Sequence, residues 1–304
     1  MKQLALPLLL VAGLTACGGG GEAEPTVTAT AAGMGTMMMP LGVVSLSPTA
    51  ADAVGSIALA SPTASATAAG ASPAVSIPTL TPEERSEAEA LLRAASLRPE
   101  DIPEGFPLGD DGFTTNEEVA GIGNMWAEMF GSAGGVALED LYSSGRILGY
   151  YVNYEVEGPM DPSSFFGTAC FSVTVDLFRE SSAAHEYFEL ARQYESNPDE
   201  MAASKRWEQL QEYYEGFGLE FRDLSVSSIA FAEVGDERLA FEVKVTMLVP
   251  DLDTDSHLVE QMVAVRRDRA IGYVLVVAFN SSPSAKQLEN LARTLDERMK
   301  DALE

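Results

Sequence analysis

The chain is short of basic residues, short of histidine and nearly free of cysteine, and each shortage closes off a class of function. Nineteen Lys and Arg face 46 Asp and Glu, leaving a formal charge of −27. So acidic a surface repels phosphate backbones and anionic headgroups, which excludes nucleic acid as a partner and leaves the domain surface unsuited to binding lipid headgroups. The only histidines are His185 and His257. There is no Gly-x-Ser-x-Gly elbow, no phosphate-cradling loop and no Cys-x-x-Cys, so the familiar nucleophile, nucleotide and redox signatures are missing and no catalytic residue is assigned. The expectation is a protein that is not an enzyme, with an uncharacterised hydrolase as one alternative.

The N-terminus supplies an address. Lys2 provides a positive start, and Leu4 to Leu14 form an uncharged apolar run of the length a secretory signal needs. The run is shorter than the roughly 20 apolar residues that span a bilayer. It ends in Leu14-Thr15-Ala16-Cys17, followed by four glycines. This segment resembles the lipobox of bacterial lipoproteins. The resemblance implies cleavage before Cys17, a diacylglycerol on its sulfur and, optionally, an acyl chain such as palmitate on its amine. Two or three chains hold a protein lastingly where one binds marginally. The implied location is the cell envelope, on the extracytoplasmic side of the membrane.

Only one other cysteine exists, Cys170. If Cys17 carries lipid, no pair remains for an intramolecular disulfide, and Cys170 is expected to be a lone, partly buried thiol.

Residues 1–16 are thus the signal peptide and 17–80 a lipidated tether rich in Ala, Thr, Ser and Pro. From 18 to 80 the only charged side chains are Glu22, Glu24 and Asp52, and no helical or strand periodicity appears. Such a segment buries too little apolar surface to offset its ordering entropy and is expected to be disordered. As a flexible coil it spans on the order of 45 Å.

A folded domain is expected over 81–304. Thr81-Pro82-Glu83-Glu84 combines an N-cap, a first-turn proline and a capping box, with Ala88, Leu91, Leu92 and Ala95 on one face behind it. A turn-rich connector follows from Leu97 to Phe106. Phe113 to Val119 is expected as a short strand, and 124–130 as an amphipathic turn or helix.

Period-two alternation begins near Gly145. Leu148, Tyr150, Val152 and Tyr154 share one strand face, and Phe171, Val173, Val175 and Leu177 another. The polar alternates Asn153, Ser172, Thr174 and Asp176 point to antiparallel neighbours. Helices are expected from Ser181 or Ser182 (Ala184, Tyr187, Phe188, Ala191) and around Trp207. Strands should follow at Leu224 to Val234, Arg238 to Val249, Leu258 to Arg267 and Ile271 to Phe279, the last two joined by a turn at Asp268-Arg269. A closing helix carries Leu288, Leu291, Leu295 and Met299. The sum is an α+β fold, an antiparallel sheet of about six strands flanked by helices.

The acidic-Ile-Pro-x-Gly-Phe segment after an amphipathic helix, the strand leading into the Ala-containing helix near Ser182, and the Arg-rich hairpin before the last strand and helix together resemble a known group. They are similar to extracytoplasmic lipoprotein domains related to the sensor domain of PknH-type bacterial kinases, which also resemble the PsbP-like fold. The resemblance implies the fold and no ligand residues, and the chain departs from the kinase sensor in lacking its disulfides.

Two local patterns bear on metals. His185-Glu186-Tyr187-Phe188-Glu189 has half of a zinc helix, but Glu189 stands in place of the second His, so an exposed ion pair is the expected reading. Asp251, Asp253 and Asp255 sit at alternate positions like the start of an EF-hand loop. Ser256 replaces its glycine and Met262 its bidentate Glu, so a solvated acidic hairpin loop is expected, with weak Ca²⁺ binding as the alternative. No cofactor is assigned. The functional expectation is a membrane-anchored, sensor-like domain that binds a small molecule, a lipid or an envelope protein. The alternative is a carrier of apolar cargo using Trp126, Phe130, Phe165 and Phe166.

Overall fold

The computed structural model describes residues 80–120, 138–158, 165–195, 220–249 and 254–304. Helix α1, Pro82–Ala95, starts as its sequence dictates. The Thr81 hydroxyl accepts from the Glu84 N–H, and the Glu84 carboxylate accepts from the Thr81 N–H. Ala88, Leu92 and Ala95 are its buried face. A 3₁₀ turn at Pro99–Asp101 then leads to Ile102, which is buried, and Phe106, whose ring meets Phe171 edge-on at 4.7 Å.

Among the described residues seven strands form one sheet: β1 Leu108–Thr114, β2 Arg146–Glu155, β3 Gly167–Phe178, β4 Glu220–Ser228, β5 Glu237–Val249, β6 Thr254–Arg267 and β7 Ala270–Phe279. Their spatial order is β1-β2-β3-β7-β6-β5-β4, and every pairing is antiparallel. Two meanders, β1 to β3 and β4 to β7, thus meet at β3 and β7. Helix α2 is Leu138–Ser143, α3 is Ser181–Glu195, and α4 is Ala285–Leu303. The mixed α+β class is as expected.

The sheet has one strand more than the expected six, the edge strand β1, and that strand ends at Thr114. The Phe113 to Val119 strand breaks there, since Thr115 and Glu118 form a second capping box and residues 116–120 turn helical. Two boundaries also move. β4 stops at Ser228, after which Ile229, Phe231 and Val234 pack into the core, and β6 starts at Thr254, four residues ahead of Leu258. The helix expected around Trp207 and the segment 124–130 lie outside the described residues.

Both sheet faces are buried. One carries Leu148, Tyr150, Val152, Phe171, Val173, Val175, Val263, Val274 and Val276 against α1 and α4. Leu288, Leu291, Leu295 and Met299 of α4 are all buried there, matching the predicted stripe. α4 lies close because Gly272 has no side chain: a Cβ would stand 2.7 Å from Leu295 and 3.0 Å from Met299. The other face carries Phe241, Val243, Met262, Leu275 and Val277, with Ala184 and Phe188 of α3 packed on it.

Glu260 interrupts this second face. It lies on β6 with Val243 of β5 and Val277 of β7 as cross-strand neighbours, it is 4% exposed, and its Oε1 has no hydrogen-bond partner. Desolvation alone pushes its carboxyl from an ordinary 4.5 up to about 8. Below the ordinary value the group is protonated whether the chain is folded or not. Between the two values only the unfolded chain ionises, so stability falls as pH rises, and the loss is complete above the folded value. One proton gives a slope of about 1.4 kcal/mol per pH unit. Glu260→Met is therefore expected to raise the urea midpoint at pH 8 and to flatten the decline between pH 5 and 8. An unchanged decline in the variant would show that another group causes it.

Candidate functional site

The polar alternates of β2 and β3 do not face water. Asn153, Ser172 and Asp176 are each under a tenth exposed, on the same face as α3. The Ser172 hydroxyl donates to Asn153 Oδ1 at 2.7 Å, and Asn153 Nδ2 donates to Asp110 Oδ1 at 2.8 Å. Beside this chain lies a buried ion pair. Arg146 donates through Nε and Nη2 to Asp176 Oδ1 (3.0 and 2.8 Å), through Nη1 to Asn116 Oδ1 (2.8 Å), and through Nη2 to the Thr114 hydroxyl (2.8 Å). Gly149 makes the space, since a Cβ there would be 2.3 Å from Nη2. Tyr187, also near this pair, is pushed up to about 12, mainly by burial.

All three guanidinium nitrogens of Arg146 are engaged within the fold, so the pair joins β1, β2, β3 and the 116–120 turn and offers nothing to a ligand. Removing one partner strands a buried charge, at a cost of about 3–5 kcal/mol, whereas replacing both with apolar groups costs less. Arg146→Met and Asp176→Leu are each expected to lose that much in urea unfolding, and the double variant less than their sum. Additive losses would mean that the two charges are not coupled.

A second cluster lies where α3 passes the start of β5. His185 and Glu189 are one helical turn apart, and Glu237 is the first residue of β5. His185 Nδ1 is 2.6 Å from Glu237 Oε1, and one ligand atom from each of the three residues lies within 4.8 Å of the others. Among the described residues this is the group of three metal-ligating side chains that converges. Arg266 Nη2 donates to Glu237 Oε1 at 2.8 Å, Arg192 Nη1 lies 3.1 Å from Glu189 Oε1, and Arg192 Nη2 is 3.7 Å from Glu237 Oε2. Burial raises the Glu237 pKa, but hydrogen bonds from Arg266 and His185 outweigh it and hold the carboxyl below its usual value. Sequence spacing showed the His185 and Glu189 pair; Glu237, 52 positions from His185, arrives only through the fold.

The acidic stretch separates differently. Val249 and Thr254 pair as the closing residues of the β5–β6 hairpin, and Asp251 and Asp253 lie outside the described residues. Asp255 belongs to β6, exposed, with Arg222 Nη1 3.7 Å from its carboxylate. A guanidinium there opposes a cation. Of the residues considered for apolar cargo, Trp126 and Phe130 lie outside the described residues. Phe165 packs edge-on against Phe279 at 6.5 Å, and Phe166 is 78% exposed. Cys170 is fully buried, deeper than the partly buried position expected of it.

With the geometry in place, comparison with known proteins adds little. No family model matches the chain, and no curated protein does. Loose similarity appears among solved structures. The extracellular domain of PknH from Mycobacterium tuberculosis aligns over 70% of this chain and 96% of its own, at 9% identity and a TM-score of 0.39. A likeness of this degree assigns neither residue nor activity. Among the described residues no helix is long and apolar enough to cross a membrane.

Proposed function

We propose that the chain is an extracytoplasmic lipoprotein, held at the membrane by lipid on Cys17, whose α+β domain binds a ligand without catalysing a reaction on it. The observation that carries this reading is the order of features at the N-terminus. A basic start, an apolar run too short to span, Leu14-Thr15-Ala16-Cys17 and a glycine run come in the sequence that lipid attachment requires. Charge supports the same arrangement. A domain this acidic is repelled by anionic headgroups, so an acyl anchor and a spacer supply membrane attachment that its surface does not. The ligand classes that suit such a module are a small molecule, a lipid or an envelope protein.

Besides Cys17 the chain has one cysteine, Cys170, so a thioether at Cys17 and an intramolecular disulfide exclude each other. In a bacterial host fed labelled palmitate, the parent is expected to take up label and Cys17→Ala is not. Intact-mass analysis without reduction should show a mature chain beginning at Cys17 and carrying the acyl mass. Equal labelling of the two proteins, or Cys17 recovered in a disulfide with Cys170 and unacylated, would overturn the anchor.

A further inference from the structure

We propose that His185, Glu189 and Glu237 form a Zn²⁺ site, with the metal held by one imidazole nitrogen and two carboxylate oxygens and a fourth position left to water. The proposal does not depend on the membrane anchor. Zn²⁺ takes this kind of donor set, at about 2.0–2.2 Å from each ligand. Tetrahedral coordination at that radius separates donors by roughly 3.3 Å, and the three groups here already lie within 4.8 Å of one another. His185 and Glu189 are more than a third exposed, so small side-chain rotations close the remaining distance.

An independent observation points to a missing partner. Glu237 Oε2 is buried and has no hydrogen bond, while Oε1 accepts from Arg266 and faces His185. A carboxylate with one oxygen fixed from behind and the other without a hydrogen bond is an arrangement in which an outer guanidinium can orient a metal ligand. Arg192 Nη1 lies 3.1 Å from Glu189 Oε1 and competes with a metal for that carboxylate. Binding replaces the His185–Glu237 hydrogen bond with metal bonds, and the proton between Nδ1 and Oε1 passes to Nε2 of the same ring or, from a charged ring, to solvent. Two carboxylates balance the charge of Zn²⁺. Arg192 also works against the metal, because its Nη2 stands 3.7 Å from the bare oxygen.

That last point separates a built site from loose binding to an acidic surface. Full-length protein stripped with chelator and titrated with ZnCl₂ in a calorimeter is expected to bind one equivalent saturably. Outer-ligand changes alone cost about 10- to 100-fold in metal affinity, so His185→Ala and Glu189→Gln are each expected to weaken binding at least tenfold. Both residues are exposed, and circular dichroism should show the fold retained. Arg192→Ala removes a competing cation and is expected to tighten binding severalfold, an effect that an unbuilt acidic surface does not produce at this position alone. Co²⁺ should give the visible absorption of a four-coordinate ion, lost in His185→Ala. No saturable binding in the parent, equal affinity in parent and His185→Ala, or no gain in Arg192→Ala would overturn the site.

Discussion

The pairing of β3 with β7 is the constraint on which the rest of the sheet depends. It joins two meanders that otherwise contact each other little, in a register running from Gly167 opposite Phe279 to Leu177 opposite Ala270. All ten residues of β7 are buried, which fits a strand with a neighbour on each edge and a helical layer near each face. The pairing brings together segments about a hundred positions apart, so it forms only after a large loss of chain entropy. Helix α4 follows β7 directly and packs over Gly272. Arg267 of β6 grips Asp296 of α4 through Nε and Nη2 at 2.7 and 2.6 Å, and Arg298 grips Asp101 of the 3₁₀ turn at 2.7 and 3.0 Å. The last strand and helix therefore hold both the start of the domain and the centre of its sheet.

Burial on both faces changes what a polar alternate means. In an antiparallel sheet with one wet face, Asn153, Ser172, Thr174 and Asp176 would be hydrated and of little consequence. Here Asn153, Ser172 and Asp176 lie inside the protein, and their hydrogen bonds must close on one another. The Asp110–Asn153–Ser172 chain and the Arg146–Asp176 pair do so across three strands. Each fixes the lateral register of β1, β2 and β3, because a one-residue slip would carry every member to the apolar side under α1 and α4. Glu260 is the exception, a carboxyl among valines with one oxygen unpartnered.

What the sequence disclosed followed the reach of its signals. The start of α1, the buried stripe of α4 and the two-residue turn at Asp268 are set by residues within a few positions of one another, and all were visible. Asp268 takes a φ of +49°, the left-handed conformation that Asp tolerates better than most residues. By contrast, the seven residues of β1, LGDDGFT, carry no alternation, because the strand sits at the sheet edge with its first half exposed. Only its pairing with β2 makes it a strand. Cluster membership failed for the same reason. The missing histidine one turn after His185 argued against metal so long as ligands were sought on one helix, and Glu237 joined from the neighbouring strand. The polar interior of β2 and β3 gave the right strands with the wrong environment, since periodicity reports which residues share a face and not what covers it.

The arginines explain how a chain this acidic keeps its fold and its field at once. Arg146, Arg266, Arg267 and Arg298 all lie partly or wholly inside, each joined to a carboxylate from a different element. Arg93 is stacked 4.8 Å over the Phe113 ring. Positive charge is thereby concentrated at the joints between layers, where fork-shaped guanidinium pairs fix geometry that a lysine would not. What reaches solvent is then weighted further toward carboxylate than the composition alone requires. Such a field holds off nucleic acid and anionic membrane, and it enriches divalent cations near the surface. Screening confines that field to about 8 Å at physiological ionic strength. A cation drawn in is therefore selected by local geometry, and among the described residues the place where an imidazole nitrogen and two carboxylates converge is the junction of α3 with β5.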